Sequence, residues 1–237
     1  MKSFVVIPTY NEADTILELI EALLKLNIDL EILVVDDHSP DGTGSLVRTQ
    51  MEKERRVHLL ERPKKMGLGS AYLSGFRFAL EKGADALFEM DGDFSHDPHD
   101  VPLMLEKLQS ADLVIGSRYI KGVSVVDWPM GRLLLSYCAN RWTEWMTAVP
   151  VRDMTSGFKV FRREALLALD FSRVLSDGYS FQIEMNVRLY RKRFRVTEIP
   201  IIFKDRNIGV SKMTRSIVLE AFVTVWRHFF ERIFRRS

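Results

Sequence analysis

Ile32-Leu33-Val34-Val35-Asp36-Asp37-His38-Ser39-Pro40-Asp41-Gly42 is four apolar residues running straight into an acidic turn. An unbroken apolar run of that length marks a strand buried on both faces of a parallel sheet. The pattern repeats to either side. Phe4–Ile7, Val57–Leu60, Ala86–Met90 and Leu113–Ile115 are further short, β-rich runs, and between them apolar residues recur at helical spacing, as in Ile16, Leu19, Ile20, Leu23 and Leu24, or Leu103, Leu105 and Leu108. Strand alternating with helix over the first 116 residues predicts an α/β fold. We expect a three-layer, Rossmann-like, doubly wound and mostly parallel sheet with right-handed crossovers. Ligands of such sheets sit outside the carboxyl ends of the strands, so the residues following each strand carry the functional information.

Beyond residue 116 the alternation stops. Residues 128–147 are mostly helical and hold three tryptophans, residues 179–193 form another helix, and Arg195–Ile199 and Ile201–Phe203 read as short strands separated by Pro200. No repeat, low-complexity tract or linker appears, which predicts one domain elaborated in its second half.

The 237 residues are 46% apolar and 28% charged, enough core-forming material for a globular body. A single cysteine, Cys138, excludes an internal disulfide and a cysteine zinc site. The net charge of +2 hides an asymmetry: residues 186–237 carry 13 Lys and Arg against 4 Asp and Glu, leaving an acidic remainder. No run approaches the roughly 18 apolar residues of a bilayer span, and the first residues lack a signal-peptide pattern. The expected location is therefore cytoplasmic, with any membrane contact peripheral and no nucleic-acid partner.

Three acidic clusters converge on one sheet edge: Pro8-Thr9-Tyr10-Asn11-Glu12, Asp36–Gly42 and Asp91-Gly92-Asp93. The first turn has no glycine, so the dinucleotide fingerprint is missing, and so is the P-loop sequence. Gly67-Leu68-Gly69 is half a fingerprint in the wrong place, either a phosphate-touching turn or a plain helix entry. In Asp91-Gly92-Asp93 a glycine lets the backbone turn between two carboxylates, and alternate residues of extended chain share a face, so both can point at one hard cation. Alone, such a tripeptide is more simply a solvated turn. Two further acidic strand ends on the same edge favour a divalent ion holding a diphosphate. Two chemistries remain: attack at phosphorus, or attack at a carbon whose leaving group is the diphosphate. The neutral-to-acidic first turn suits a nucleoside diphosphate-sugar better than a triphosphate.

Val5-Val6-Ile7-Pro8-Thr9-Tyr10-Asn11-Glu12, Val34-Val35-Asp36-Asp37-His38-Ser39-Pro40-Asp41-Gly42-Thr43, Met90-Asp91-Gly92-Asp93-Phe94-Ser95-His96-Asp97-Pro98 and Gly116-Ser117-Arg118-Tyr119 together resemble the family-two glycosyltransferases of the A-type fold. Thr155-Ser156-Gly157-Phe158-Lys159, Gly178-Tyr179-Ser180-Phe181-Gln182-Ile183-Glu184-Met185, Phe203-Lys204-Asp205-Arg206 and Gly209-Val210-Ser211-Lys212 resemble the polyprenol-phosphate mannose synthases in particular.

That resemblance implies inverting transfer of mannose from GDP-mannose to a polyprenyl or dolichyl phosphate, with Mg2+ or Mn2+ as cofactor. Pro8, Tyr10 and Glu12 would line the nucleotide site, and Val35 and Asp37 would face base and ribose. Tyr10 either stacks on the base or is a core-edge aromatic. Asp91, Gly92 and Asp93 would hold cation and diphosphate. Ser95 stands where many members carry Gln; its shorter side chain either ligates the ion or leaves a water between. Arg118, Arg206 and Lys212 would act on the phosphate groups, with Arg206 and Lys212 at the nucleotide-sugar and Arg118 and Arg132 at the acceptor phosphate. A phosphate monoester is ionised at neutral pH, its second pKa being about 6. It can attack without a general base, and His38, His96 and His99 are assigned no catalysis. Transfer of glucose or another sugar, and nucleotide-sugar binding without catalysis, are the alternatives.

By the same resemblance, residues 1–215 would be the catalytic domain and residues 216–237 an amphipathic, basic C-terminal helix. Glu220, Thr224, Arg227, Glu231 and Arg235 form one stripe, with aromatic and aliphatic residues elsewhere. Such a helix suits a membrane interface or packs on the core; combining the two, its start packs while Phe229–Arg236 touches lipid. Trp128, Trp142 and Trp145, with Met130 and Met146, either meet the polyprenyl chain or belong to the core. We expect a peripheral enzyme on the cytoplasmic membrane face, with docking on a separate membrane subunit as an option.

Overall fold

The computed structural model describes residues 1–174, 176–204 and 215–234, without the side chains of 215–218. The chain begins with β1 (Ser3–Thr9), α1 (Ile16–Leu24), β2 (Leu30–Asp36), α2 (Thr43–Lys53), β3 (Val57–Glu61), α3 (Leu68–Glu81), β4 (Ala86–Glu89), α4 (Val101–Leu108) and β5 (Leu113–Ser117). The second half adds β6 (Val125–Val126), α5 (Met130–Thr147), β7 (Lys159–Arg162), α6 (Arg163–Leu167), α7 (Gly178–Arg191), β8 (Val196–Pro200), β9 (Phe203–Lys204) and α8 (Arg215–Phe234).

Among the described residues, seven strands form one sheet in the order β3-β2-β1-β4-β7-β5-β8. Every neighbouring pair is parallel except those of β7, which runs antiparallel between β4 and β5. β6 and β9 pair as a separate ribbon. Both faces of the sheet are covered, which is why β1 and β2 carry unbroken apolar runs. Phe4, Val6, Leu33 and Val35 pack beneath Tyr72, Phe76 and Phe181 of α3 and α7. Val5, Ile7, Ile32 and Val34 pack against Ile16, Leu19, Ile20 and Met104 of α1 and α4. Each such buried side chain contributes about 1.5–3 kcal/mol. α3 lies so close to β1 that a Cβ on Gly75 would sit 2.3 Å from Val6 Cγ1.

The antiparallel course of β7 matters for the site. Its first residue lies where β4 and β5 end, so residues 153–158 are delivered to the carboxyl edge.

α8 packs on α7 and α5, and its polar stripe lies along that contact, where its residues find partners. Glu220 accepts the Asp177 backbone N–H (3.1 Å), Arg227 pairs with Glu184 (3.1 Å), Arg191 donates to Glu231 (2.6 Å), and Arg232 donates to the Trp145 and Met146 carbonyls. Thr224, Val225 and His228 are buried. Leu219, Phe222, Val223, Trp226, Phe230, Ile233 and Phe234 are left exposed, together with Met130, Leu134, Leu135 and Trp145 of α5. The helix therefore packs along its described length and exposes an apolar side along that same length, whereas the sequence suggested a division between its start and its end. Phe229 turns inward against the core. Arg235 lies outside the described residues.

Candidate active site

Along the carboxyl edge the order is β2, β1, β4, the start of β7, then β5. At about 4.8 Å per strand, this row spans about 19 Å from Asp36 and Asp37, past Pro8–Glu12 and Asp91–Asp93, to Arg118. Left-handed backbone concentrates on its acidic part. Asn11 (φ 62°), His38 (φ 58°) and Phe94 (φ 58°) lie one in each of the three acidic turns. For His and Phe that conformation costs on the order of 1 kcal/mol or more and needs outside support. Hydrogen bonds supply it: Asn11 N–H donates to Ser39 Oγ (3.1 Å), and Asp36 accepts from Thr9 Oγ1 (2.8 Å), Ser39 N–H (2.9 Å) and Ser39 Oγ (2.6 Å). Thr15 Oγ1 ties the Gly92 carbonyl to the start of α1 (2.7 Å).

On the β1–β2 side, Pro8, Tyr10 and Glu12 are half-buried. Lys65 Nζ lies 4.0 Å above the centre of the Tyr10 ring, so a cation covers one aromatic face. Asp37 is nearly buried, accepting from Arg62 Nε and from the Met66 N–H (3.0 Å); Arg62 in turn donates to Ser70 Oγ (2.6 Å) and the Gly67 carbonyl (3.0 Å). Asp37 thus fixes the loop that enters α3. Val35 is fully buried beneath that helix, paired to β1 and β3, so its side chain is core and does not face a base or ribose as the resemblance implied. Gly67-Leu68-Gly69 is the entry to α3: Gly67 has φ 95°, and Asp177 Oδ1 accepts the Gly69 N–H (2.6 Å). A protein carboxylate already supplies the anion at that helix end.

At the end of β4, Tyr72 Oη lies 3.4 Å from Asp91 Oδ1, and a Cβ on Gly157 would come 3.4 Å from Asp91 Oδ2. Asp93 Oδ1 accepts the Ser95 N–H (3.1 Å). Ser95 Oγ is buried with no hydrogen-bond partner among the described residues. Those residues contain no cluster of three His, Cys, Asp or Glu able to enclose a metal. Two carboxylates on one turn with a bare hydroxyl behind them suit a hard ion that takes its remaining ligands from phosphate and water, as Mg2+ and Mn2+ do.

Under this turn are charges the sequence reading did not flag. Glu89 and Lys159 are cross-strand neighbours, both fully buried. Burial pushes the Glu89 carboxyl up to about 7, against the pull of Lys159, and pushes the Lys159 ammonium down to about 8. Lys159 Nζ donates to the Gln182 carbonyl (3.1 Å) and Oε1 (2.5 Å). His96, held down to about 4 chiefly by burial, is neutral; its ring stacks on Phe158 at 4.9 Å, and Nδ1 accepts the Asp91 N–H at 3.4 Å.

At the far end, Arg118 is buried and grips Asp153. Nε donates to Oδ2 (2.7 Å), Nη2 to Oδ1 (2.6 Å) and to Thr155 Oγ1 (2.9 Å), and the Arg118 N–H to Oδ2 (3.0 Å). The Asp153 charge raises the guanidinium pKa further against its burial. Arg132, in the first turn of α5, lies over Trp128, its Cζ 4.2 Å from a ring centre. The fold brings Pro8, Tyr10, Glu12, Asp37, Asp91, Gly92, Asp93, Ser95 and Arg118 to one edge. Arg206 and Lys212 lie outside the described residues.

The sequence profile of glycosyl transferase family 2 matches residues 4–169. The chain belongs to that family. This family 2 glycosyltransferase is 42% identical over 227 residues to an undecaprenyl-phosphate mannosyltransferase of Micrococcus luteus, across 96% of its own length and 93% of the relative's. It is also 42% identical to a polyprenol monophosphomannose synthase of Mycolicibacterium smegmatis, covering 94% and 85% of the two chains. In three dimensions it is similar to the mannosyltransferase PcManGT of Pyrobaculum calidifontis, solved with GDP-Man and Mn2+, with a TM-score of 0.64 at 18% identity over 98% of this chain and 64% of the other. The fold is the A-type fold expected from the strand-end motifs.

Asp153, Glu89 and Arg62 are supports of the site that no sequence motif had named, and Lys159 and His96, which the motifs contain, are buried beneath it. The one available signal was Arg118 itself, because a motif arginine ending a buried strand needs an acceptor. Nothing in the spacing identified Asp153, 35 positions later.

Proposed function

We propose that this protein transfers mannose from GDP-mannose to a polyprenyl phosphate with inversion of the anomeric carbon. The observation that carries the reading is the polarity of the carboxyl edge: carboxylates at β2, β1 and β4, then a buried arginine at β5, two strand spacings beyond Asp91. A nucleotide over the β1–β2 turns directs its diphosphate towards Asp91 and Asp93 and its sugar towards Arg118. The similarity to an undecaprenyl-phosphate mannosyltransferase and a polyprenol monophosphomannose synthase supports mannose and the polyprenyl phosphate, and the GDP-Man complex of PcManGT supports the donor.

Asp91 and Asp93 would hold Mg2+ or Mn2+, with Ser95 beside them. That ion, when bound, neutralises diphosphate charge and favours its departure. Arg118 and Arg132 hold the acceptor phosphate, which is ionised without help from a base. A phosphate oxygen forms the new bond to the anomeric carbon as the bond to GDP breaks, and GDP leaves with that electron pair. Attack opposite the leaving group inverts the centre. Catalysis comes from alignment and placed charge, Arg206 and Lys212 adding to the latter.

The acceptor's hydrocarbon chain calls for a lipid surface, and α5 and α8 supply an apolar face to meet it. No helix among the described residues is long and apolar enough to cross a membrane. Our reading is peripheral binding on the cytoplasmic face, with the outward side of α8 in the interface. A donor screen tests the assignment: with Mn2+ and a short-chain polyprenyl phosphate, GDP-mannose is expected to yield lipid product, EDTA to stop it, and UDP-glucose to yield little. Equal turnover of UDP-glucose would overturn the choice of sugar.

A further inference from the structure

We infer that the indole ring of Trp128 is the platform that holds Arg118 and Arg132 together as one phosphate-binding unit, which makes Trp128 a positioning residue for the acceptor. The inference rests on reading those two arginines as acceptor-phosphate ligands. Arg132 Cζ is 4.2 Å, and Arg118 Cζ 5.5 Å, from a Trp128 ring centre. Both fall within the roughly 6 Å over which an aromatic quadrupole attracts a cation, and indole attracts most strongly. Two guanidinium groups gathered at one point repel; the shared ring offsets that repulsion, and Asp153 balances the charge of Arg118.

Arg118 is fixed by its paired bonds to Asp153. Arg132 is a half-buried side chain on the first turn of α5, with its guanidinium over the Trp128 ring. Stacking on the ring restricts the Arg132 guanidinium before the phosphate arrives, so that its fork and the Arg118 N–H groups not taken by Asp153 meet one dianion.

The platform itself is fixed from elsewhere. Phe203 stands edge-on to Trp128 at 5.6 Å and 74°, and Phe203 is held in register opposite Val125 by the β6–β9 ribbon. Phe203 also lies 5.5 Å from Arg118 Cζ. Among the described residues, Trp128 Nε1 is buried without a partner, and the contacts that position the ring there are those of its faces and edges.

The test compares Trp128→Leu with Trp128→Phe, the second keeping a ring and losing the N–H. Transfer kinetics are measured against farnesyl phosphate and against GDP-mannose, and farnesyl phosphate binding is followed by 31P NMR. Trp128→Leu is expected to raise the acceptor KM about tenfold, the size of one or two cation–π contacts, with kcat and the GDP-mannose KM within about twofold of wild type. Trp128→Phe is expected to recover most of the loss, to within about threefold. Equal damage in both variants, an unchanged acceptor KM in Trp128→Leu, or parallel loss of donor affinity would each overturn the platform. Failure of the wild-type protein to bind farnesyl phosphate would instead sink the acceptor reading, and the platform with it.

Discussion

Replacing Asp153 by Asn tests whether the Arg118 pair is a structural keystone as well as part of the acceptor site. The Asp153 side chain has no solvent exposure and accepts three N–H groups of Arg118 at 2.6–3.0 Å. Asparagine keeps one acceptor oxygen, turns an NH2 towards a donor, and strands a guanidinium in a buried site. Removing one partner of a buried pair costs about 3–5 kcal/mol. For a chain of this size each kcal/mol corresponds to about 2–4 °C, so the melting temperature should fall by about 6–20 °C. Circular-dichroism melts and urea titrations measure it. The double variant Arg118→Met with Asp153→Leu removes both charges and should recover much of that stability while transfer stays lost. A loss below about 1 kcal/mol in Asp153→Asn would refute the buried-pair reasoning, and active double-variant protein would refute the acceptor role of Arg118.

Asp93→Ala should nearly abolish transfer and leave the melting curve close to wild type; unchanged turnover would defeat the metal assignment. Arg206→Ala should slow transfer far more than Arg235→Ala, and equal losses in a paired assay would remove that distinction. Gly75→Ala should destabilise the fold by about 1–3 kcal/mol through overpacking against Val6, read by urea titration. His228 offers a pH test of α8 docking. Burial holds its imidazole down to about 4 from the ordinary 6.5, so its contribution is complete above about 6.5 and fades as pH falls towards 4. Wild type should lose roughly 3 kcal/mol more than His228→Gln across that window; parallel pH profiles for the two would contradict it.

The parts of the fold that the sequence discloses are those where one local pattern suffices. Phe4–Ile7 and Ile32–Val35 are buried on both faces, so every residue in them must be apolar. Their polar successors mark the carboxyl edge. β7 escaped that reading because Lys159 and Arg162 bracket a run of two apolar residues, and Lys159 is buried only because Glu89 and Gln182 lie across from it. The orientation of α8 escaped for a related reason. Its polar stripe reads as a solvated face until Glu184 and Arg191, far back on α7, turn out to be its partners. That Asp91 and Asp93 follow β4 on the same edge as the other acidic turns was legible from the strand pattern; the aromatic setting of Arg118 and Arg132 was not, since Trp128 and Phe203 are brought together by the β6–β9 pairing.

The most direct measurement is the structure of the product. Incubating the protein with GDP-α-mannose, Mn2+ and a short-chain polyprenyl phosphate, and reading the lipid product by mass spectrometry and NMR, should give β-linked mannosyl phosphate with one GDP released per sugar. An α-linked product, or no lipid-linked sugar from folded protein, would contradict the account.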